Sequence, residues 1–164
     1  MKIALVALPL AAVLTTFSSL AYAQRTVFLV RDADRLDASE DTPLSKAGEA
    51  RAQLLARLLK DTGVTAIYTS QFQRRIKTAE PLAISLQIKT VNIPTGDNAG
   101  HFKRIRTENR DDIVLIVGHD RSIPALLKLF GHPEAITIAP TEYDNLFVLV
   151  PKDTGPPTVL RMRY

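Results

Sequence analysis

Charged side chains follow three short apolar runs in the sequence, at the points where buried strands would end. Arg31 follows the run TVFLV, Arg74 follows AIYTS after a few polar residues, and His119 follows IVLIVG. In open α/β sheets, the loops after parallel strands converge at one edge, where ligands bind. Arginine offers a planar pair of donors that matches phosphate or carboxylate oxygens, so we predict an anion site there. The alternative is that these arginines only form structural ion pairs, for which the candidate partners are Asp32, Asp34 and Glu80.

Histidine is scarce, so each histidine is assigned separately. The chain has three histidines and no cysteine, which excludes thiolate nucleophiles and disulfides. His119 follows a glycine at the end of the most apolar run, and we predict that it is a site residue. His101, at a helix start, and His132, in a helix-stop loop, are both expected to face solvent. No pair of histidines has metal-ligand spacing, so we predict neither a metal nor a cofactor.

The elements that must position these residues alternate along the chain. Apolar runs rich in β-formers at 26–30, 66–68 and 113–117 predict strands that are buried on both faces. Helical stripes of apolar residues lie between and after these runs, the first of them opened by an N-cap at Ser45 and ended by Gly63. This alternation predicts an α/β fold: a three-layer α/β/α sandwich with a mostly parallel mixed sheet.

Further patterns complete this outline. Helical spacing recurs after residue 70, where Pro81 must start or kink a helix, then weakly at 101–107, and finally at 123–130 before Gly131. The strand-like runs at 145–150 and 158–164 are separated by a turn-rich stretch, so we expect them to pair as an edge hairpin.

The N-terminal residues 1–23 have the pattern of a cleaved export signal. Lys2 precedes an uncharged apolar segment at 3–14, and the small-residue site Ala-Tyr-Ala at 21–23 precedes Gln24. The apolar segment is too short to span a membrane. We therefore expect a signal peptide at 1–23, one domain at 24–164, and a protein exported to the periplasm or secreted.

The charge balance favours a small anionic ligand. The net charge is +4, and the basic clusters at 74–77 and 103–110 lack the interleaved aromatic residues of single-strand binders. We predict that the second cluster is a solvated helix face. The expected partner is a phosphorylated small molecule or a phosphate ion, with no nucleic acid and no stable membrane span after signal cleavage. We expect a monomer or a weak dimer.

Four sequence blocks, in order and with matching spacing, resemble the histidine phosphatase superfamily, also called phosphoglycerate mutase-like. The blocks are LVRDAD at 29–34, PLSKAG with Ala52 at 43–52, IYTSQFQR with TAEP at 67–81, and VLIVGHDRS at 114–122. The family patterns are LVRH[AG]E, L[ST]xxGxx[QR]A, Y[TS]SxxxRxxxTA and VxVGHx[NR][ST]. The segment 142–147 also resembles small exported members. The resemblance implies the phosphoglycerate mutase-like fold and the activity of a phosphomonoester hydrolase.

The resemblance further implies a metal-free mechanism. In the family, a histidine after the first arginine attacks phosphorus, and water then hydrolyses the phosphohistidine. Two arginines and a second histidine hold the phosphoryl oxygens, and a carboxylic acid protonates the leaving group. By position, Arg31 and Arg74 bind the phosphate, His119 is the second histidine, and Asp32 occupies the nucleophile position.

Asp32 changes what such a pocket can do. A carboxylate about 4 Å from a phosphate charge opposes it by roughly 4 kcal/mol at an effective dielectric of about 20, which is comparable to the attraction of one arginine. Asp32 is therefore expected to pair with Arg31, Arg74 or protonated His119 and to occupy donors meant for substrate. Aspartyl-phosphate chemistry normally relies on a divalent cation, and the sequence has no obvious metal cluster.

Two functions follow from the same pocket. The first is a phosphomonoester hydrolase that is inactive or impaired because of Asp32. The alternative is a non-catalytic pseudophosphatase that binds a phosphate-containing or other anionic ligand or partner.

Two carboxylates are candidates for the general acid. Asp34 matches the acidic position of the opening block; the alternative role for Asp34 is a salt bridge with Arg35 or Arg31. The second candidate is Asp97, in the loop at 94–100.

Overall fold

The computed structural model describes residues 26–164, which form a six-stranded mixed sheet flanked by helices. The strands are β1 (Thr26–Arg31), β2 (Val64–Thr69), β3 (Thr90–Asn92), β4 (Ile113–Gly118), β5 (Asn145–Val150) and β6 (Thr158–Arg163). The helices are α1 (Lys46–Leu59), α2 (Gln73–Leu86), α3 (Asn98–Glu108) and α4 (Ser122–Leu129). The signal peptide expected at 1–23 lies outside the described residues.

The strand order is β3-β2-β4-β1-β5-β6. The strands β3, β2, β4 and β1 are parallel, whereas β5 runs antiparallel to β1 and β6 runs antiparallel to β5. The predicted edge hairpin is therefore confirmed, with β6 at the outer edge. The sequence did not predict β3, because this strand has only three residues and is not fully buried.

Helices cover both faces of the sheet and confirm the three-layer prediction. On one face, α1 and α2 bury Leu55, Leu59 and Leu82 against β-strand residues such as Leu115. On the other face, the buried apolar residues of α3 and α4 are Ile105, Ile123, Leu126 and Leu127. Because both faces are covered, the central strands carry the continuous apolar runs seen in the sequence.

The helix ends follow the local sequence closely. Ser45 caps α1, where its side chain accepts a hydrogen bond from the Gly48 N–H. Gly63 has φ +79, in the turn after the helix, where the left-handed region favours glycine. Pro81 does not begin a helix, because α2 already starts at Gln73 and continues through it. The buried residues on either side, Ala79 and Leu82, hold that helix against the sheet.

The expectation that His101 faces solvent is wrong. His101 is only 7% exposed, and its ring packs edge-on against Tyr68 with the ring centroids 6.1 Å apart. It lies on α3 one turn before the buried Ile105, so both side chains face the sheet. Burial lowers the pKa of His101. His132 is half-buried in the loop after α4.

The basic cluster on α3 faces solvent, as predicted. Lys103, Arg104 and Arg106 are all exposed, and Arg104 pairs with Glu108 one turn later on the same helix. Among the helices of residues 26–164, none combines the length and hydropathy that crossing a membrane requires.

Candidate active site

The loop after β1 is fixed by three hydrogen bonds to neighbouring elements. The Asp32 N–H donates to the carbonyl oxygen of Gly118 at 2.9 Å. The Ala33 N–H donates to Oγ1 of Thr78 at 2.9 Å, and this hydroxyl donates in turn to the Arg74 carbonyl oxygen at 2.7 Å. The buried threonine of the third sequence block therefore ties the loop to the first turn of α2.

The second sequence block supports the same loop from the other side. The backbone N–H and hydroxyl of Ser45 both donate to the Asp34 carbonyl oxygen, at 2.9 and 3.2 Å. A Cβ atom at Gly48 would clash with that oxygen, so only glycine allows α1 to approach this closely. The motif residues of this block are thus scaffold residues for the loop at 32–34.

Asp32 lies at the centre of three arginines. Its side chain is buried, and its Oδ2 accepts a hydrogen bond from Nε of Arg74 at 2.7 Å. Nε of Arg75 lies 3.5 Å from the same oxygen, and Nε of Arg31 lies 3.6 Å from Oδ1. The predicted pairing of Asp32 with Arg31 and Arg74 is therefore present, whereas Asp34 and Glu80 pair elsewhere.

Arg31 is anchored by the segment that precedes β5. Its Nη1 donates to the carbonyl oxygens of Ala139, Pro140 and Glu142, at 2.9, 2.8 and 3.3 Å. Its guanidinium also stacks over the Tyr143 ring, with Cζ 4.1 Å from the ring centroid. Because β5 runs antiparallel to β1, the residues before it meet the end of β1 and fix the arginine in place.

The two arginines at the start of α2 are held differently. Nη1 of Arg74 donates to the Glu40 carbonyl oxygen, whereas Nη1 of Arg75 donates to two hydroxyls: that of Ser70 at 2.6 Å and that of Thr95 at 2.7 Å. Both guanidinium groups lie over the Phe72 ring, at 4.7 and 5.1 Å from its centroid. Burial lowers the pKa of Arg75, and the nearby carboxylate of Asp32 opposes that shift.

His119 begins the turn between β4 and α4. Its N–H donates to the Ser122 hydroxyl at 2.8 Å, and its Nδ1 accepts from the Arg121 N–H at 3.1 Å. Burial lowers the pKa of His119, and the positive charge of Arg75 lowers it further. Nδ1 also lies 3.2 Å from Oδ1 of Asp120. The contact with Arg121 requires Nδ1 to accept and the contact with Asp120 requires it to donate, so the two belong to different protonation states of the ring. Because its pKa is lowered, the imidazole is mainly neutral at pH 7.

These side chains line a cavity of about 370 Å³ at the carboxyl end of the parallel strands. Its cations are Arg31, Arg35, Arg74, Arg75 and Arg121, and its carboxylates are Asp32, Glu40 and Asp120. Five guanidinium groups around three carboxylates make the cavity cationic, which suits an oxyanion. Among residues 26–164, no group of three or more histidine, cysteine or acidic side chains is arranged to hold a metal ion.

The structure brings four of the five predicted site residues together, and the fifth lies apart. Arg31, Asp32, Arg74 and His119 all line the cavity. Asp34 does not line it, because its carboxylate accepts a hydrogen bond from Nε of Arg51 at 2.6 Å.

The expected pairing of Asp34 with Arg35 or Arg31 is thus wrong. The helix α1 lies beside the loop and offers Arg51 instead. Asp97, the other candidate acid, caps α3 by accepting the Gly100 N–H at 2.7 Å. The carboxylates that accompany Asp32 in the cavity are Glu40 and Asp120.

The sequence interpretation missed Arg75 and Tyr143 as site residues. Arg75 follows Arg74 directly, and only the helical phase at the start of α2 decides whether one or both face the cavity. Tyr143 precedes β5, and the antiparallel placement of that strand beside β1 is the signal that could have found it.

Comparison with known proteins gives a family match for the first part of the domain. Residues 28–95 match the model of the histidine phosphatase superfamily (branch 1). The protein named "Probable phosphoglycerate mutase GpmB" from Yersinia enterocolitica is 33% identical over 75 residues, which cover 42% of this chain and 35% of that protein. The match thus spans about a third of that relative's length.

Solved structures share the fold over most of the chain. A protein histidine phosphatase SixA complexed with tungstate has a TM-score of 0.66 at 20% identity, covering 84% of this chain and 96% of that one. A mycobacterial glucosyl-3-phosphoglycerate phosphatase with inorganic phosphate has a TM-score of 0.61 at 15% identity, with coverage of 85% and 96%. The comparisons thus give a match to the superfamily model over residues 28–95 and a shared fold over most of the chain.

Proposed function

We propose that this protein binds phosphate monoesters in the arginine-lined cavity and hydrolyses them weakly or not at all. The observation that carries the proposal is the position of Asp32, whose carboxylate lies within 3.6 Å of three guanidinium nitrogens on the cavity floor. The arginines supply the charge that a phosphoryl group needs. The aspartate stands where the family places its nucleophilic histidine.

The surrounding residues suit phosphoryl binding. Arg31 and Arg74 are each fixed through Nη1 by backbone carbonyl oxygens, so little ordering is needed when a ligand arrives. His119 lines the same cavity and offers its imidazole as a hydrogen-bonding group. The names of similar proteins point to the same chemistry, since they include a protein histidine phosphatase and a glucosyl-3-phosphoglycerate phosphatase.

Asp32 accounts for the proposed loss of turnover. A phosphohistidine at position 32 requires an imidazole, and here the side chain is a carboxylate. Its negative charge repels an incoming phosphate, and its Oδ2 is already bound by Arg74. The second candidate, a non-catalytic pseudophosphatase, uses the same preformed arginine positions to bind a phosphate-containing or other anionic ligand or partner without any chemistry.

The test compares the protein with its Asp32→His and Asp32→Asn variants. Hydrolysis of p-nitrophenyl phosphate is measured, and the phosphoenzyme is trapped and tested for acid lability, which marks phosphohistidine, and for hydroxylamine sensitivity, which marks aspartyl phosphate. We expect turnover and an acid-labile phosphoenzyme in Asp32→His alone. Turnover by the unmodified protein equal to that of Asp32→His would show that Asp32 does not impair the site.

We further propose that residues 1–23 direct export and are removed before Gln24. The proposal rests on the charged start, the apolar segment and the Ala-Tyr-Ala site of the sequence. The mass of the protein recovered from the periplasm or medium of an expressing bacterium tests it. A mass that starts at Gln24 is expected, and Ala23→Phe should block cleavage; recovery of the uncut chain in the cytoplasm would contradict export.

A further inference from the structure

Arg75 lines the cavity at a position for which the family pattern specifies no residue type. In the third sequence block, Arg74 occupies the arginine position, and Arg75 occupies the variable position that follows it. Arg75 is nevertheless only 4% exposed and lines the cavity beside Asp32. A buried arginine is rare unless it is paired, so its presence in this place requires a physical reason.

The contacts of Arg75 orient one side of its guanidinium towards the cavity floor. The hydroxyls of Ser70 and Thr95 hold Nη1, at 2.6 and 2.7 Å. Nε lies 3.5 Å from Oδ2 of Asp32, and it is buried without a hydrogen-bond partner among residues 26–164. Nε of Arg31, on the other side of Asp32, is buried and unpartnered in the same way. Two unsatisfied donors therefore flank the carboxylate.

The charges at the cavity floor explain why a third arginine is useful. An aspartate at position 32 adds one negative charge to a site that otherwise has two arginines. Arg75 adds one positive charge within 4 Å of that aspartate. The set of Arg31, Arg74, Arg75 and Asp32 then carries the same formal charge as two arginines beside an uncharged residue 32. The neutral His119 does not change this comparison.

We propose that Arg75 is the counter-charge that offsets Asp32 in this cavity, and that its guanidinium contacts the phosphoryl group of a bound ligand. The inference rests on the proposed function, since it concerns the same cavity. It adds a phosphate-binding residue and gives a reason why a carboxylate at position 32 leaves binding intact. The contrasting interpretation is that Arg75 only neutralises Asp32 and never touches a ligand.

The test is a double-mutant cycle with inorganic phosphate as the ligand, measured by isothermal titration calorimetry. Arg75→Gln is expected to weaken binding by about tenfold or more, and Asp32→Asn to strengthen it by a similar factor, because each changes one charge at the site. Arg75→Lys keeps the charge and should recover most of the affinity. Arg57→Gln, on the exposed surface of α1, is the matched control for loss of one positive charge.

The deciding comparison is made in the Asp32→Asn background, where Arg75 no longer faces a carboxylate. If Arg75 acts only through its charge, Arg75→Gln in this background weakens phosphate binding no more than Arg121→Gln, which removes another positive charge of the cavity lining, and the inference is overturned. A residue that contacts phosphate still weakens binding by about tenfold when it is removed.

The same experiment separates this inference from the proposed function. If neither the unmodified protein nor Asp32→Asn binds phosphate at millimolar concentration, the proposed function is wrong, and the inference fails with it. If both bind and the Asp32→Asn/Arg75→Gln variant binds at least as tightly as Asp32→Asn/Arg121→Gln, only the inference is wrong. Circular dichroism and thermal unfolding of each variant show that it is folded before its affinity is compared.

Discussion

Nε of Arg74 donates a hydrogen bond to Oδ2 of Asp32 at 2.7 Å, in a position where both side chains are shielded from solvent. Arg31 and Arg75 lie within ion-pair distance of the same carboxylate. Three guanidinium groups therefore share one carboxylate. Because the three guanidinium groups repel one another, they depend on the Asp32 carboxylate for their stability. One carboxylate offsets only one of the three positive charges, so the site can bind a second anion.

Removal of the Asp32 charge is expected to destabilise the protein in a way that phosphate reverses. Asp32→Asn leaves three arginines without their shared counter-ion, and loss of one partner of a buried ion pair costs about 3–5 kcal/mol. Phosphate supplies the missing charge, and saturation at 100 times its Kd stabilises a protein by about 2.7 kcal/mol. Thermal unfolding with and without phosphate measures both effects.

Asp61→Asn, at an exposed residue beside Lys60, is the matched control for loss of one carboxylate. It should change the melting temperature little, and phosphate should stabilise it no more than the unmodified protein. An Asp32→Asn variant at least as stable as the unmodified protein in phosphate-free buffer would contradict the dependence of the arginines on this carboxylate.

The Thr78 hydroxyl is expected to support both stability and phosphate binding. Thr78→Val removes the acceptor for the Ala33 N–H and the donor to the Arg74 carbonyl oxygen. A buried N–H left unsatisfied costs about 1–3 kcal/mol. Denaturant unfolding and phosphate titration are the measurements, with Thr107→Val on the exposed surface of α3 as the control. Equal stability of the two valine variants would show that the Thr78 bridge does not hold the loop.

Gly48 is expected to tolerate no side chain. In Gly48→Ala, the new Cβ meets the Asp34 carbonyl oxygen, so either α1 or the loop at 32–34 must move. Such overpacking typically costs about 2 kcal/mol. The control is Glu49→Ala at the next, exposed position of the same helix, with an expected change within about 0.5 kcal/mol. Urea unfolding compares the two, and a stable Gly48→Ala variant would show that the close approach is not required.

The strand ends explain why part of the site could be predicted from the sequence. Arg31 and His119 end or follow apolar runs, and the two strands β1 and β4 pair side by side, so their ends had to meet. Arg74 was found because it closely follows β2. These predictions needed only the order of strands and helices, which the periodicity of apolar residues gives.

The remaining contacts could not be predicted, because they depend on the packing of elements that are far apart in the sequence. The pairing of Asp34 with Arg51 requires the packing of α1 against the loop, and nearer arginines in the sequence were the wrong partners. The burial of His101 was missed because the helical pattern at 101–107 is weak. Ile105, one turn further along α3, is the apolar residue that indicates most clearly which face of this helix is buried.

Burial of His101 is expected to make the protein less stable in mild acid. Burial lowers the pKa of His101 in the folded state below the ordinary histidine value of 6.5. Between the two pKa values the unfolded chain binds a proton at His101 and the folded protein does not. The contribution of the neutral His101 to the free energy of unfolding is therefore fully present above about pH 6.5, and it decreases as the pH falls towards the pKa of the folded state. His101→Phe should remove part of that loss, since a phenyl ring keeps the contact with Tyr68 without titrating.

The measurement is the free energy of unfolding by urea at several pH values between 5 and 7.5. A single group contributes at most about 1.4 kcal/mol per pH unit, so the difference between the two proteins should widen by no more than that as the pH falls. Parallel pH profiles for His101→Phe and the unmodified protein would show that His101 does not cause the acid sensitivity.

Phosphate binding is expected to raise the pKa of His119. In the free protein, burial and the positive charge of Arg75 hold this pKa below the ordinary histidine value of 6.5. A bound phosphate places negative charge beside the imidazole and offsets the charge of Arg75, so the protonated form becomes more favourable. NMR titration of the imidazole nitrogens with and without saturating phosphate measures the shift.

Arg75→Gln provides the internal comparison, because it removes the cation that opposes protonation. The pKa of His119 should then be higher in the free variant than in the free unmodified protein, and phosphate should raise it further in both. His132 is the reference histidine, since it lies in the loop after α4, outside the cavity lining. An unchanged His119 pKa on phosphate saturation, together with a calorimetric signal for binding, would place the bound phosphate away from His119 and contradict its role as a phosphate ligand.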